Sequence, residues 1–298
     1  MLKKVDVYVK IVALQLRSRF FSATKQELEK RREELMARGL PKQKPIKGVK
    51  HIVLVCSGKG GVGKSTTSVN IAAALKANHP KKGVGLLDTD VFGPSIPLMM
   101  NLNETPILNK DNLMEPLTNY GVKCMSMGFL IEKTSAVIWR GLMVMQALEK
   151  LLRQVHWSEI DYLVVDTPPG TGDTLLSLVQ NLPISGVVLV TTPQTAALEV
   201  TRRGASMFNK LKVPIIGIVE NMNYVKCSSC SENISIFGKG TSTLANELHC
   251  EILGSFPLDP RISCCTEKGM PIVVQDSTSD VSKVYKSVAD HMVRFLEE

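Results

Sequence analysis

The sequence predicts an α/β fold, a mostly parallel, doubly wound sheet with helices on both faces. Short β-branched apolar runs alternate with helix-like segments from residue 51 onward. The first run opens into a glycine-rich loop, and two later runs end in aspartates, at the edge where open α/β sheets bind ligands.

The first strand is expected at residues 51–56 (HIVLVC), apolar enough to be covered on both faces. It leads into SGKGGVGKST at residues 57–66, which satisfies G-x-x-x-x-G-K-[ST], and then into the helical SVNIAAALKA. Strand, loop and helix in that order define a single P-loop NTPase domain. Such a loop must aim several backbone N–H groups and a helix N-terminus at phosphate oxygens, which needs residues without side chains. Gly58, Gly60, Gly61 and Gly63 supply that freedom, and Lys59, Val62 and Thr66 complete the nucleotide-binding stretch. Lys64 is expected on the β- and γ-phosphates, and the Ser65 hydroxyl on Mg²⁺.

The next strand, residues 84–87, delivers Asp88-Thr89-Asp90, with Asp88 read as a ligand of Mg²⁺ or of its waters. On its own, a DxD is also a turn or a helix cap. A third strand, residues 162–165, delivers Asp166, the Walker B position that holds Mg²⁺ on the phosphates. The loop after it, TPPGTGD, has the proline and glycine content of a switch, and Asp173 reads as a helix cap or a partner contact. Strands at 186–190 and 215–219 flank a helix at 197–211.

Composition narrows the classes. A chain of 298 residues that is 44% hydrophobic can bury one large core. Its apolar runs are interrupted before they reach the roughly 20 residues of a membrane span, so at most peripheral membrane contact is expected. Residues 1–50 carry 14 Lys and Arg against 5 Asp and Glu, whereas residues 51–298 carry 22 against 23. The basic excess is terminal, which argues against nucleic acid as a partner. Residues 1–22 are basic, nearly free of acids and resemble a mitochondrial presequence, with RFFS at 19–22 resembling a matrix-protease site. The expected location is therefore the mitochondrial matrix. Residues 23–49 read as a charged helix stopped at Gly39 and a proline-rich linker, and residues 50–298 as the ATPase domain.

Seven cysteines are an odd number in a chain too large to need disulfide staples. Cys227-Ser228-Ser229-Cys230 presents two thiols on one side of a turn, half of a four-sulfur site. Zinc, redox and cluster roles all remain open to such a pair, and either Cys264 and Cys265 or the same pair on a second subunit could complete it. The five histidines show no paired metal spacing, and Cys56 and Cys124 sit in apolar runs where thiols pack.

Taken together, KGGVGKST, LLDTDVFGPS, WRGLM from Trp139, DYLVVDTPPGTGD, ENMNY and CSSC resemble the Mrp-type deviant Walker A carrier ATPases, over residues 41–290. RGLPKQKPI, MSMGFL and RGLMVM resemble the mitochondrial nucleotide-binding-protein-like branch, associated with supplying iron-sulfur clusters to respiratory complex I. The resemblance implies a homodimer in which Lys59 reaches the partner's phosphates, Asp90 orients the attacking water, and Asn221 and Pro257 face adenine, favouring ATP. It also implies a [4Fe-4S] cluster bridged by Cys227 and Cys230 of two subunits, delivered to apo-proteins, with slow regulatory hydrolysis. No cysteine precedes Cys56, so the multi-cysteine ferredoxin-like segment of other branches has no counterpart. The rival expectations are a partitioning or positioning ATPase, with residues 281–298 as a membrane-surface helix, and a zinc-bridged structural dimer.

Overall fold

The computed structural model describes residues 43–130, 141–227 and 229–298. The expected presequence, the charged helix, the first part of the linker, Trp139 and Ser228 lie outside the described residues. The elements run β1 (Val49–Ser57), α1 (Lys64–Asn78), β2 (Val84–Asp88), α2 (Ile96–Met99), β3 (Leu117–Asn119), β4 (Val122–Ser126) and a 3₁₀ turn (Met127–Phe129). They continue with α3 (Gly141–Arg153), β5 (Ile160–Asp166), α4 (Asp173–Asn181), β6 (Gly186–Thr191), α5 (Thr195–Lys210), β7 (Ile215–Lys226) and β8 (Asn233–Ser235). The chain ends with α6 (Gly240–Leu248), β9 (Glu251–Pro257), α7 (Pro260–Glu267), α8 (Ile272–Gln275) and α9 (Asp280–Glu297).

Among the described residues, one sheet holds nine strands in the order β3-β4-β2-β5-β1-β6-β7-β8, with β9 also paired to β7. The strands that carry the expected motifs are parallel, and β3 and β8 are antiparallel additions at the margins. β2 and β6 are buried along their whole length, as β-branched and leucine-rich runs must be when helices cover both faces. α1 is buried nearly all round, from Thr67 to Leu75, because it lies between the sheet and α9. Its three consecutive alanines, Ala72 to Ala74, allow that close approach.

Three differences from the sequence reading have physical causes. β7 is 12 residues long, where a short strand ending at 219 was expected, because β8 and β9 hydrogen-bond to its polar second half. Asp173 is the first helical residue of α4 rather than its cap, which is Gly172, and its charge sits where the helix dipole favours an anion. The described end of the linker is tied to the body: Lys44 N donates to Asn181 O at 2.9 Å, Arg153 Nη1 donates to the Lys44 and Pro45 carbonyls, and Ile46 is buried.

The amphipathic C-terminal helix docks on the domain. Val281, Tyr285, Val288, Ala289, Met292 and Val293 are buried against α1 and β9. Gly254 on β9 permits the approach, since a Cβ there would come within 2.7 Å of Val284. Among the described residues, no helix is long and apolar enough to cross a membrane. Met292→Ala should therefore cost about 2–5 kcal/mol, the range for emptying a fully buried site, measured by urea denaturation; a loss under about 0.5 kcal/mol would show that α9 does not hold the core together.

Candidate nucleotide site and cysteine hairpin

The phosphate loop is shaped by its glycines. Gly61 and Gly63 take φ of 79° and 85°, in the left-handed region that favours glycine. Side chains at Gly60 or Gly61 would project into open space, so the bare backbone faces the place a ligand would take. A Cβ at Gly58 would strike the backbone of α5 at Val200 and Thr201, and one at Gly63 would strike the Asn221 amide. Ser57 Oγ braces the loop by donating to Lys59 O at 3.1 Å. Lys59 is exposed and has no ion pair among the described residues, Val62 is buried, and Ser65 and Thr66 are half-buried at the start of α1.

Strand register brings the acidic residues together. Asp88 and Asp166 are direct partners at the ends of β2 and β5. Lys64 Nζ lies 2.7 Å from Asp166 Oδ1, and both groups are buried. Ser68 Oγ donates to the same oxygen at 2.7 Å, while Asp166 Oδ2 is buried with no hydrogen-bond partner. Lys64 Nζ also donates to Ser65 Oγ at 3.2 Å, which places that hydroxyl beside the carboxylate. Asp88 accepts from Ser126 Oγ at 2.9 Å, from Asp90 N at 3.0 Å and from Ile96 N at 3.3 Å. Burial, and then the neighbouring Asp166 charge, push the Asp88 carboxyl up to about 7. An orphaned carboxylate oxygen, a hydroxyl and a second carboxyl form an all-oxygen donor set of the kind a hard divalent cation takes, so these residues fit Mg²⁺. Asp90 is half-buried, just beyond the end of β2, and accepts from Gly93 N at 3.3 Å.

Asn221, on β7, donates from Nδ2 to the Val62 carbonyl at 2.8 Å, a contact between residues 159 apart in sequence. Pro257, on β9, is paired with Tyr224, three residues beyond Asn221, and Leu258 N donates to Tyr224 O. Six positions beyond Asn221, β7 ends in the cysteine turn. Cys227 N donates to Glu232 O and Ser231 N to Cys227 O, both at 2.9 Å, closing a hairpin between β7 and β8. Cys227 is half-buried and Cys230 exposed. The backbone N–H groups of Cys230 and then Ser229 stabilise the Cys227 thiolate and lower its pKa. Among the described residues, no group of three or more His, Cys, Asp and Glu side chains is placed to hold a metal, and Cys264 and Cys265 are not gathered with this pair. Cys265 is buried on α7, and burial pushes the Cys56 thiol up to about 12, in keeping with packing roles.

Sequence reading missed Ser68, Ser126, Glu220, Asn223 and Ser255. Ser68 carried a signal, four residues after Lys64 on the same helix face. Ser126 did not, because it reaches Asp88 only through the pairing of β2 with β4.

Lys64→Ala is expected to abolish nucleotide binding and to cost about 3–5 kcal/mol of stability, because Asp166 is left as an uncompensated buried charge. Adding Asp166→Asn should recover stability but not binding; titration and urea denaturation read the two separately. Asp88 supplies a pH test. Between its ordinary value of 3.8 and about 7 the folded chain holds a proton that the unfolded chain has released, so this group's contribution to stability falls as pH rises through that window. In magnesium-free buffer, the melting temperature of the wild type should drop more than that of Asp88→Asn between about pH 5 and about pH 7.5.

Comparisons place this geometry. The family model described as the ParA-type NUBPL iron-transfer P-loop NTPase matches residues 48–293. The mouse protein named iron-sulfur cluster transfer protein NUBPL is 53% identical over 286 residues, 96% of this chain and 90% of that relative. The Arabidopsis thaliana protein named as a mitochondrial iron-sulfur protein required for NADH dehydrogenase is 51% identical over 254 residues, 85% of this chain and 81% of its own length. A nucleotide-binding protein from Archaeoglobus fulgidus, solved in complex with ADP, superposes with a TM-score of 0.65 at 33% identity, covering 79% of this chain and 91% of that one. A match that runs from the first strand to the last helix means that the chain belongs to the NUBPL iron-transfer P-loop NTPase family.

Proposed function

We propose that this chain is an iron-sulfur cluster carrier of the mitochondrial matrix that works as a homodimer under the control of ATP and Mg²⁺. Its cargo is a [4Fe-4S] cluster, bound by Cys227 and Cys230 of each of two copies and passed to apo-proteins, subunits of respiratory complex I among them. The observation that carries this reading is the hairpin, which offers two thiols, one of them biased towards thiolate, with no third ligand among the described residues. A two-fold axis through such a half-site supplies four sulfurs. The names of the mouse and Arabidopsis relatives support both the cargo and the complex I connection.

In this reading the backbone of residues 58–66 and Lys64 hold the phosphates. Lys59, exposed and without an ion pair among the described residues, reaches those of the partner. Ser65, Asp88 and Asp166 hold Mg²⁺, which when bound neutralises phosphate charge. Asp90 orients water for slow, regulatory hydrolysis, and Asn221 and Pro257 face the base, Asn221 exchanging the Val62 carbonyl for adenine. Residues 1–22 serve as presequence and 23–49 as a charged helix and linker leading into the body; nucleic acid is not a partner, given the near-neutral body.

Anaerobic reconstitution with iron and sulfide tests the reading. The wild type should gain iron and sulfide and sediment as a dimer. The double variant Cys227→Ser, Cys230→Ser should lose both properties while keeping nucleotide affinity. Zinc in place of iron would favour the structural-dimer alternative. A metal-free wild type that stays monomeric with ATP would overturn the carrier reading and leave only the phosphate-binding loop, whereas a metal-free chain that dimerises with ATP would favour a partitioning-type ATPase.

A further inference from the structure

The cysteine hairpin and the phosphate loop share β7, and the stretch of β7 between them is irregular. Its pairing with β9 shifts register between Glu220 and Tyr224. At the centre of the irregularity Met222 takes a φ of 55°, uncommon for a residue with a side chain. The kink breaks the usual alternation of side chains, so that Glu220 and Asn223 meet although they lie three residues apart. Asn223 Nδ2 donates to Glu220 Oε2 at 2.7 Å, Ser255 Oγ on β9 donates to the same oxygen at 2.8 Å, and Asn223 Nδ2 donates to Ser255 Oγ at 2.9 Å.

Two aspects of this triangle go beyond stabilising a strand. Glu220 is more than nine-tenths buried and has no cation among its described partners, an expensive arrangement for a carboxylate. The triangle also lies directly between two contacts that differ in kind. On one side, Asn221 donates to the Val62 carbonyl and leaves no room for a side chain at Gly63, so the phosphate loop and β7 are in direct contact. On the other side, Ile236 N donates to Asn223 O and Leu258 N to Tyr224 O, fastening the base of the hairpin that ends at Cys227. Six positions separate Asn221 from Cys227, a span of at most about 20 Å even for a fully extended chain.

We propose that Glu220, Asn223 and Ser255 are positioning residues that lock the kink at Met222 and so couple occupancy of the phosphate loop to the geometry of Cys227 and Cys230. Phosphate drawing the loop backbone towards itself moves the Val62 carbonyl; the Asn221 amide follows or lets go, and the locked kink turns that change into a shift of the hairpin. Without the lock, the kink absorbs it. The inference rests on the proposed carrier role for its purpose, but its test does not need a cluster.

The test is the alkylation rate of Cys227 by N-ethylmaleimide in the cluster-free full chain, followed by peptide mass spectrometry so that Cys264 does not interfere, with and without Mg-ADP and Mg-ATP. In the wild type, saturating nucleotide is expected to change the rate by at least about five-fold, the low end of ordinary coupling between sites. In Ser255→Ala, and in Asn223→Ala as a second variant, nucleotide affinity by titration should stay near wild type while the rate change disappears; Ser255→Thr, which keeps the hydroxyl, should retain it. A merely structural role would lower the melting temperature and leave the nucleotide response intact. Equal responses in wild type and both variants would overturn the proposal, as would a wild type whose Cys227 reacts at the same rate with and without nucleotide. Iron and sulfide loading of the same preparations, measured separately, reports on the carrier reading: failed loading with coupling intact would sink that reading alone.

Discussion

The arrangement of the whole sheet follows from the burial of one ammonium beside one carboxylate. Lys64 and Asp166 meet at 2.7 Å in the interior, and neither charge would be tolerated there alone. Bringing them together requires β5 to lie next to β1, the strand that delivers the lysine through the loop, and β2 to lie on the other side of β5, so that Asp88 is also at hand. Thr89 then ties the ends of β2 and β5 by donating twice to the Asp166 carbonyl, from N and from Oγ1. Asp88 remains in a dry environment beside a second carboxylate, which disfavours its charge until a cation balances it. The residues proposed to hold phosphate and metal are thus the same ones whose contacts order the central strands.

Much of this was readable from the chain because strands buried on both faces have few alternatives: β1, β2, β5 and β6 are largely apolar runs, and β1, β2 and β5 lead to the glycine-rich loop, Asp88 and Asp166. The loop was readable because phosphate cradling demands bare backbone. The marginal strands were not. β3 and β8 have three residues each and are exposed or half-exposed, and β9 is broken by Gly254, so neither period nor hydrophobicity marks them. The polar second half of β7 reads as loop until its partners are known.

Contacts made by topology alone were likewise invisible. Nothing local connects Asn221 with Val62, Ser126 with Asp88, or Ser255 with Glu220. The cysteine pair is the opposite case: its spacing announced thiol chemistry at once, while the chain offers no local means of completing it among the described residues. The N-terminal charge excess and the docked C-terminal helix show the same division. Charge can be located by counting, but whether an amphipathic face meets a membrane or its own domain is decided by α1 and β9, far away in sequence.

The margins of the sheet have a consequence for how copies of the chain can meet. β3 and β8 are too short to offer an extended row of unpaired backbone groups, and β9 packs beneath α9. An unguarded strand invites a neighbour to add on, then another, in growth that has no natural end. With that route narrowed, side-chain surfaces are what remain for association, and a contact made about a two-fold axis uses itself up and stops at two.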